Sequence, residues 1–195
     1  LEMLMWRTLF TLLILLPGPA MAIEKPSFDV ISTTDDVEVR LYHPAILAQT
    51  QVTGDFKQVG SDAFQKLGGY IFGQNVTDEK IAMTAPVTQT QSPDGSYLVS
   101  FFMPSKHSLD TLPNPTDAAV TMVEMPETYF AVTRYRGGWS QEKYLDNEQR
   151  LTDAIDAMPE WEVAGEPIWA RYDPPIMPSF FRTNEVLIPV RQTRP

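Results

Sequence analysis

The sequence predicts an α+β protein of one domain, an antiparallel sheet that curves and carries two helices. Three observations predict it. Short apolar–polar alternations recur along the chain and read as strands. Two longer stretches carry a helical stripe instead. Four landmarks also repeat at nearly one spacing: Pro44 and Pro126 are 82 residues apart, Phe56 and Trp139 are 83, Pro86 and Pro167 are 81, and Pro104 and Pro189 are 85. Four landmarks in the same order point to a duplicated strand–helix–strand–strand unit. The repeats cover about residues 28–104 and 118–191. A sheet drawn from both halves buries one face under both helices.

Alternation begins at Phe28, and Asp35-Asp36 marks a turn. Val37, Val39 and Leu41 then alternate with Glu38, Arg40 and Tyr42 before His43-Pro44 interrupts. Ala45 to Thr53 resumes as strand. A helix follows over about Phe56 to Phe72, with Phe56, Val59, Ala63, Leu67, Tyr70 and Ile71 on one stripe and Phe64 at its edge. Gly68 and Gly69 each cost roughly 1 kcal/mol in a helix interior, and close approach of a neighbouring strand accounts for them. Gly73 terminates the helix. Ile81 to Gln91 alternates as a strand, with Pro86 marking an edge, a bulge or the strand's start. Ser92-Pro93-Asp94-Gly95 turns the chain into a strand from Tyr97 to Met103. A polar loop over residues 105–117 leads into the second half. There, strands around Val120–Val123 and Tyr129–Tyr135 are interrupted by Met125-Pro126. Ser140 is placed as an N-cap, its capping box incomplete because Lys143 stands where Glu or Gln belongs. A helix from about Gln141 to Ala157 precedes strands at Pro167–Ala170 and Val186–Pro189.

The stretch Lys80-Ile81-Ala82-Met83-Thr84-Ala85-Pro86-Val87 follows Leu67, Tyr70-Ile71, Gly73 and Asn75. This order resembles the signature of the SOUL haem-binding family. Val37-Glu38-Val39-Arg40-Leu41-Tyr42 resembles that family's opening strand, and Asn184-Glu185-Val186 its closing one. The resemblance runs over about residues 28–191. It implies a twisted, antiparallel, β-barrel-like sheet flanked by two helices. It also implies non-covalent binding of haem or another tetrapyrrole.

The formal charge of −10 argues against a nucleic-acid surface, which needs a basic patch. At the N-terminus, Arg7 precedes an apolar run from Thr8 to Leu16, then Pro17-Gly18-Pro19 and Ala20-Met21-Ala22. This pattern is that of a secretory signal peptide cleaved after Ala22, with a mature domain of residues 23–195. The run is shorter than the roughly 20 residues that span a bilayer, so no stable span remains after cleavage. The expected destination is the periplasm or the exterior. The chain has no cysteine, which excludes disulfides, thiolate metal sites and covalent haem attachment.

Nothing in the sequence matches a nucleophile elbow, a zinc-protease helix or a P-loop, so no enzyme is expected. The meeting of two halves suggests an apolar cleft. Its candidate lining is Phe64, Leu67, Ile71 and Met83, with Tyr129 from the second half. For a haem bound there, Lys66, Lys80 and Arg40 are candidates to hold the propionates. Only two histidines exist. His43 is the candidate axial ligand, and His107 reads as a solvated loop residue. The expected role is an exported haem carrier or buffer. The alternative is a module for another apolar small molecule, similar to gyrase-inhibitor-like effector-binding domains.

Overall fold

The computed structural model describes residues 23–193. The expected signal peptide lies outside them. Seven strands fall in the order the alternation predicts: β1 (Phe28–Thr34), β2 (Val37–Tyr42), β3 (Ala45–Val52), β4 (Val87–Gln91), β5 (Tyr97–Phe102), β6 (Thr121–Met125) and β7 (Thr128–Arg136). They are followed by β8 (Trp161–Val163), β9 (Ile168–Arg171) and β10 (Thr183–Gln192). The helices are α1 (Phe56–Ile71), between β3 and β4, and α2 (Gln141–Asp156), between β7 and β8. No helix among the described residues is long and apolar enough to cross a membrane.

All the pairings are antiparallel, in the order β1-β2-β7-β10-β9-β4-β5-β3-β6, with β8 added on β10. From β2 to β6 this order reads the same from either end once each strand is exchanged with its counterpart one period on. The midpoint is the β4–β9 pair, where Thr88 faces Ala170 and Gln89 faces Trp169. Each half lends a strand to the other: β2 pairs with β7, and β6 with β3.

Both helices pack on one face. Val59, Ala63, Leu67, Tyr70 and Ile71 of α1 are buried, as are Tyr144, Leu151 and Ile155 of α2. They share a core with Val99, Phe101, Trp169, Val186 and Ile188 from the strands. Full burial of each such side chain contributes about 1.5–3 kcal/mol. Where the halves meet on this face, aromatic rings close the junction. Tyr144 stacks on Trp169 with centroids 5.1 Å apart, and Phe56 packs edge-on to Tyr97, Tyr144 and Trp169.

The other face is inside the curl. Met125 of β6 packs there with Tyr42, Phe130 and Leu187, although β6 and β2 stand far apart in the strand order. The sheet is therefore a curled half-barrel.

Three local readings change. Residues 81–86 are not strand, and β4 begins only at Val87. The polar groups of this segment reach distant partners: Ile81 N donates to Ile71 O, Ala85 N to Glu24 O, and Thr84 Oγ1 to Phe102 O at 2.6 Å. Pro86 has no N–H to extend a ladder. The short strand β8 was absent from the sequence reading. Gly68 and Gly69 also answer to side chains of α1 itself and of the turn after it, not to a strand. A Cβ at Gly68 would meet the Phe64 ring at 3.1 Å, and one at Gly69 would meet Gln74 Oε1 at 2.3 Å. The Ser140 cap is present, its side chain accepting from Lys143 N at 3.3 Å.

Candidate functional site at the rim of the half-barrel

A cavity of about 630 Å³ opens at one rim of the sheet. Its walls come from residues 24–27, the His43-Pro44 turn between β2 and β3, Thr84, the end of β5 with residues 103–105 and 107–109, and the end of β6 with Pro126. The register explains the convergence. β3 pairs with β5 on one side and β6 on the other, so Ala45 faces Met125 while Leu47 faces Phe102. The two interrupting dipeptides, His43-Pro44 and Met125-Pro126, thus line one space. Thr84 brings the signature stretch to the same wall.

Both histidines of the chain line this cavity. His43 is held by its neighbours: Ser27 Oγ lies 3.1 Å from Nδ1, and Asp29 Oδ2 lies 2.9 Å from Nε2. Its side chain is 41% exposed. His107 was read from sequence as solvated, and the structure corrects this. The residue is half-buried, and its Nε2 is enclosed with no hydrogen-bond partner. An unsatisfied enclosed nitrogen costs about 1–3 kcal/mol, and such a group calls for an explanation, such as an ordered water, an ion or a chemical role. The segment at the cavity's mouth is tied down by Glu24, whose carboxylate accepts from Ser105 N at 2.8 Å. That bond holds the Glu24 pKa below its ordinary value.

A second cavity of about 130 Å³ lies on the inner face, lined by Tyr42, Phe130, Ile168 and Leu187 with polar Gln49, Thr88 and Ser100. Phe102 and Met125 border both cavities.

The residues nominated from sequence fall elsewhere. Leu67 and Ile71 are core, at 0% and 2% exposed. Phe64 and Met83 are surface residues at 44% and 48%, and Phe64 rests against Phe101. Tyr129 packs on Trp161, their centroids 5.1 Å apart. Lys66 is half-exposed and Lys80 exposed. Arg40 is 2% exposed and fully engaged: Nη1 and Nη2 donate to the two carboxylate oxygens of Glu185 at 3.1 Å each, and Nε to Glu38 at 2.7 Å. Of the nominated set, only His43 lines the rim cavity. His107, Phe102, Met103 and Met125 were missed, and the period linking Pro44 to Pro126 was the one signal that could have found them.

The match to known proteins decides the family. Residues 23–189 match the family described as SOUL heme-binding protein. The chain belongs to the SOUL haem-binding family. This SOUL chain is 32% identical over 178 residues to the mouse (Mus musculus) protein named heme-binding protein 2, covering 85% of each chain. It is 31% identical over 180 residues to the human (Homo sapiens) protein of the same name, covering 86% of each. Among solved structures, the SOUL chain resembles the C-terminal domain of EcmrR at a TM-score of 0.60 and 10% identity, over 80% of this chain and 98% of that one. That likeness concerns the fold alone.

Proposed function

We propose that the chain is an exported haem- or tetrapyrrole-binding protein, a carrier or buffer with no catalytic role, and that the rim cavity is its site. One observation carries the placement: the chain's two histidines, 64 residues apart in sequence, line one cavity of about 630 Å³. That volume falls within the range of small-molecule pockets, about 300–1,000 Å³.

The residues fit such a group. Pro44, Ile46, Phe102, Met103, Leu109 and Met125 offer apolar walls to a flat macrocycle. The partnerless Nε2 of His107 is the nitrogen donor at hand, while a ligand would have to displace Ser27 or Asp29 to reach the imidazole of His43. Lys25 also lines the cavity; its ammonium lies over the Tyr172 ring, 5.1 Å from the centroid, and on swinging away would meet a carboxylate by a charge-assisted hydrogen bond. With Arg40 committed to Glu185, this role passes to Lys25. When bound, haem would supply an iron that an imidazole of His107 or His43 could hold. The protein's share is to exclude water from the ring faces and hold the imidazoles in place.

A Soret titration of the purified chain with haemin tests this. A saturable red shift at micromolar protein is expected. Replacing both His43 and His107 by Ala is expected to alter the spectrum and weaken binding by about tenfold or more, near the size of one charge-assisted contact. No saturable shift in the parent protein overturns the reading. A shift unchanged in the double variant removes the histidines from it.

Export rests on residues 1–22, with their apolar run and Ala-Met-Ala site. The family match begins just after them, at residue 23. Expressed from its full sequence in a cell with a secretion pathway, the protein is expected outside the cytoplasm with Ile23 at its N-terminus. Mass spectrometry showing residues 1–22 retained on a cytoplasmic product contradicts it.

A second reading, a smaller apolar ligand, is favoured by the 130 Å³ inner cavity. That space is too small for a tetrapyrrole. No saturable haemin binding, together with saturable binding of a small apolar molecule that perturbs Phe130 and Leu187, would move the assignment there.

A further inference from the structure

Arg171 closes β9 and lies between the two helices. Its Cζ is 5.3 Å from the Trp139 ring centroid, 5.7 Å from Tyr144 and 5.8 Å from Phe56. Nε donates to Tyr144 Oη at 3.1 Å, and Nη2 to Gln89 Oε1 at 2.6 Å. Gly60 leaves room for the guanidinium, since a Cβ there would stand 2.8 Å from Nη1. This cation has no acid. Among the described residues, no carboxylate lies within ion-pair distance of Arg171, whereas Arg40, Arg134, Arg150 and Arg191 each have one.

Among the described residues, two more cations without an ion-paired carboxylate lie close by along the chain or in space. Arg182 sits over the Trp139 indole with Cζ 4.2 Å from its centroid, its Nε and Nη2 donating to the carbonyls of Met177 and Pro175. Lys143 Nζ would be 2.7 Å from a Cβ on Gly137, two residues before Trp139. The chain's net charge is −10, so Arg171 and Arg182 flanking one indole without an ion-paired carboxylate run against its overall balance. The first turn of α2, which begins at Gln141, adds the positive end of a helix dipole, although it also carries Glu142. Two enclosed donors here also lack acceptors: Trp139 Nε1, and Nε2 of Gln89, a residue only 2% exposed whose amide is fixed against Arg171.

Unpaired cations and enclosed donors without acceptors are what an oxygen anion complements. We propose that Arg171, Trp139 and Gln89 form a binding site for a small oxyanion, a carboxylate or phosphate group, separate from the rim cavity. Arg171 supplies the charge, Gln89 Nε2 and Trp139 Nε1 supply directed donors, and Arg182 and Lys143 draw the anion in.

The test follows the indole N–H signals in a ¹H–¹⁵N spectrum of the chain during titration with inorganic phosphate, and separately acetate, at constant ionic strength. Trp139→Phe assigns the Trp139 signal. That signal is expected to move saturably while the Trp161 and Trp169 signals move less. Arg171→Gln is expected to weaken the effect about tenfold, the size of one charge-assisted hydrogen bond. Arg182→Gln leaves the cage itself intact, so a several-fold loss there keeps the test valid if the Arg171 variant misfolds. Response to phosphate alone marks a phosphoryl ligand, and response to acetate a carboxylate, and either supports the site. No saturable movement, equal movement in all variants, or movement reproduced by chloride overturns it.

Discussion

Replacing Arg40 by Met lowers the free energy of unfolding by about 3–5 kcal/mol, the range for stranding one member of a buried ion pair. Glu185 is 0% exposed, and it accepts from Arg40 twice, from Arg134 at 2.9 Å and from Tyr172 Oη at 2.6 Å. Burial pushes its pKa up, but the hydrogen bonds and charge of Arg40, with Tyr172 and Arg134, outweigh that and hold it below the ordinary carboxylate value. The Arg134 side chain is 62% exposed, so it cannot replace Arg40. A lowered folded pKa means the network's stability is present above the unfolded pKa of about 4.3 and is lost as pH falls through the lower folded value. Without Arg40, burial dominates and Glu185 takes up a proton more readily. The deficit of the variant should therefore be largest near neutral pH and shrink in acid. Denaturant unfolding at several pH values checks this. Adding Glu185→Gln to Arg40→Met should recover part of the loss at neutral pH by removing the stranded charge. A loss under about 1 kcal/mol at pH 7, or one independent of pH, would show that Arg40 acts only by packing.

Asn75→Ala should cost about 2–4 kcal/mol, because it strands several backbone groups at once. Asn75 is 2% exposed and its side chain organises the turn after α1. Nδ2 donates to Tyr70 O at 3.0 Å and Glu79 O at 2.8 Å, while Oδ1 accepts from Glu79 N at 3.0 Å and from both Thr77 N and Thr77 Oγ1. Water can reach part of this exposed turn, which keeps the cost below the full sum of the lost bonds. The denaturant midpoint should fall with an unchanged m-value. A loss below about 0.5 kcal/mol, the size of an ordinary surface substitution, would mean that Asn75 is not the organiser of this turn.

These residues also show what the sequence could tell. The buried stripe of α1 was legible, since Val59, Ala63, Leu67, Tyr70 and Ile71 follow the helical period and all reach the core. Arg40 was not. In alternation with Val37 and Val39 it reads as the solvent side of a strand, but the curl of the sheet covers that side too. Both parities of β2 are buried, and Arg40 lies over Phe28 with its Cζ 4.5 Å from the ring centroid. The segment 81–86 alternates like a strand, yet its partners are Glu24, Ile71 and Phe102, which no local pattern announces. His43 and His107 were visible one by one. Their convergence depends on β3 lying between β5 and β6, a consequence of each half lending a strand to the other.

The most direct measurement is the amide spectrum of the ¹⁵N-labelled chain titrated with ferric haemin, whose unpaired electrons broaden nearby signals. Broadening centred on residues 24–27, 43–46, 102–109 and 124–126, the walls of the rim cavity, is the predicted result. Broadening centred on the exposed Phe64 of α1, Phe72 and Met83, or no localised broadening at saturating haemin, would contradict it.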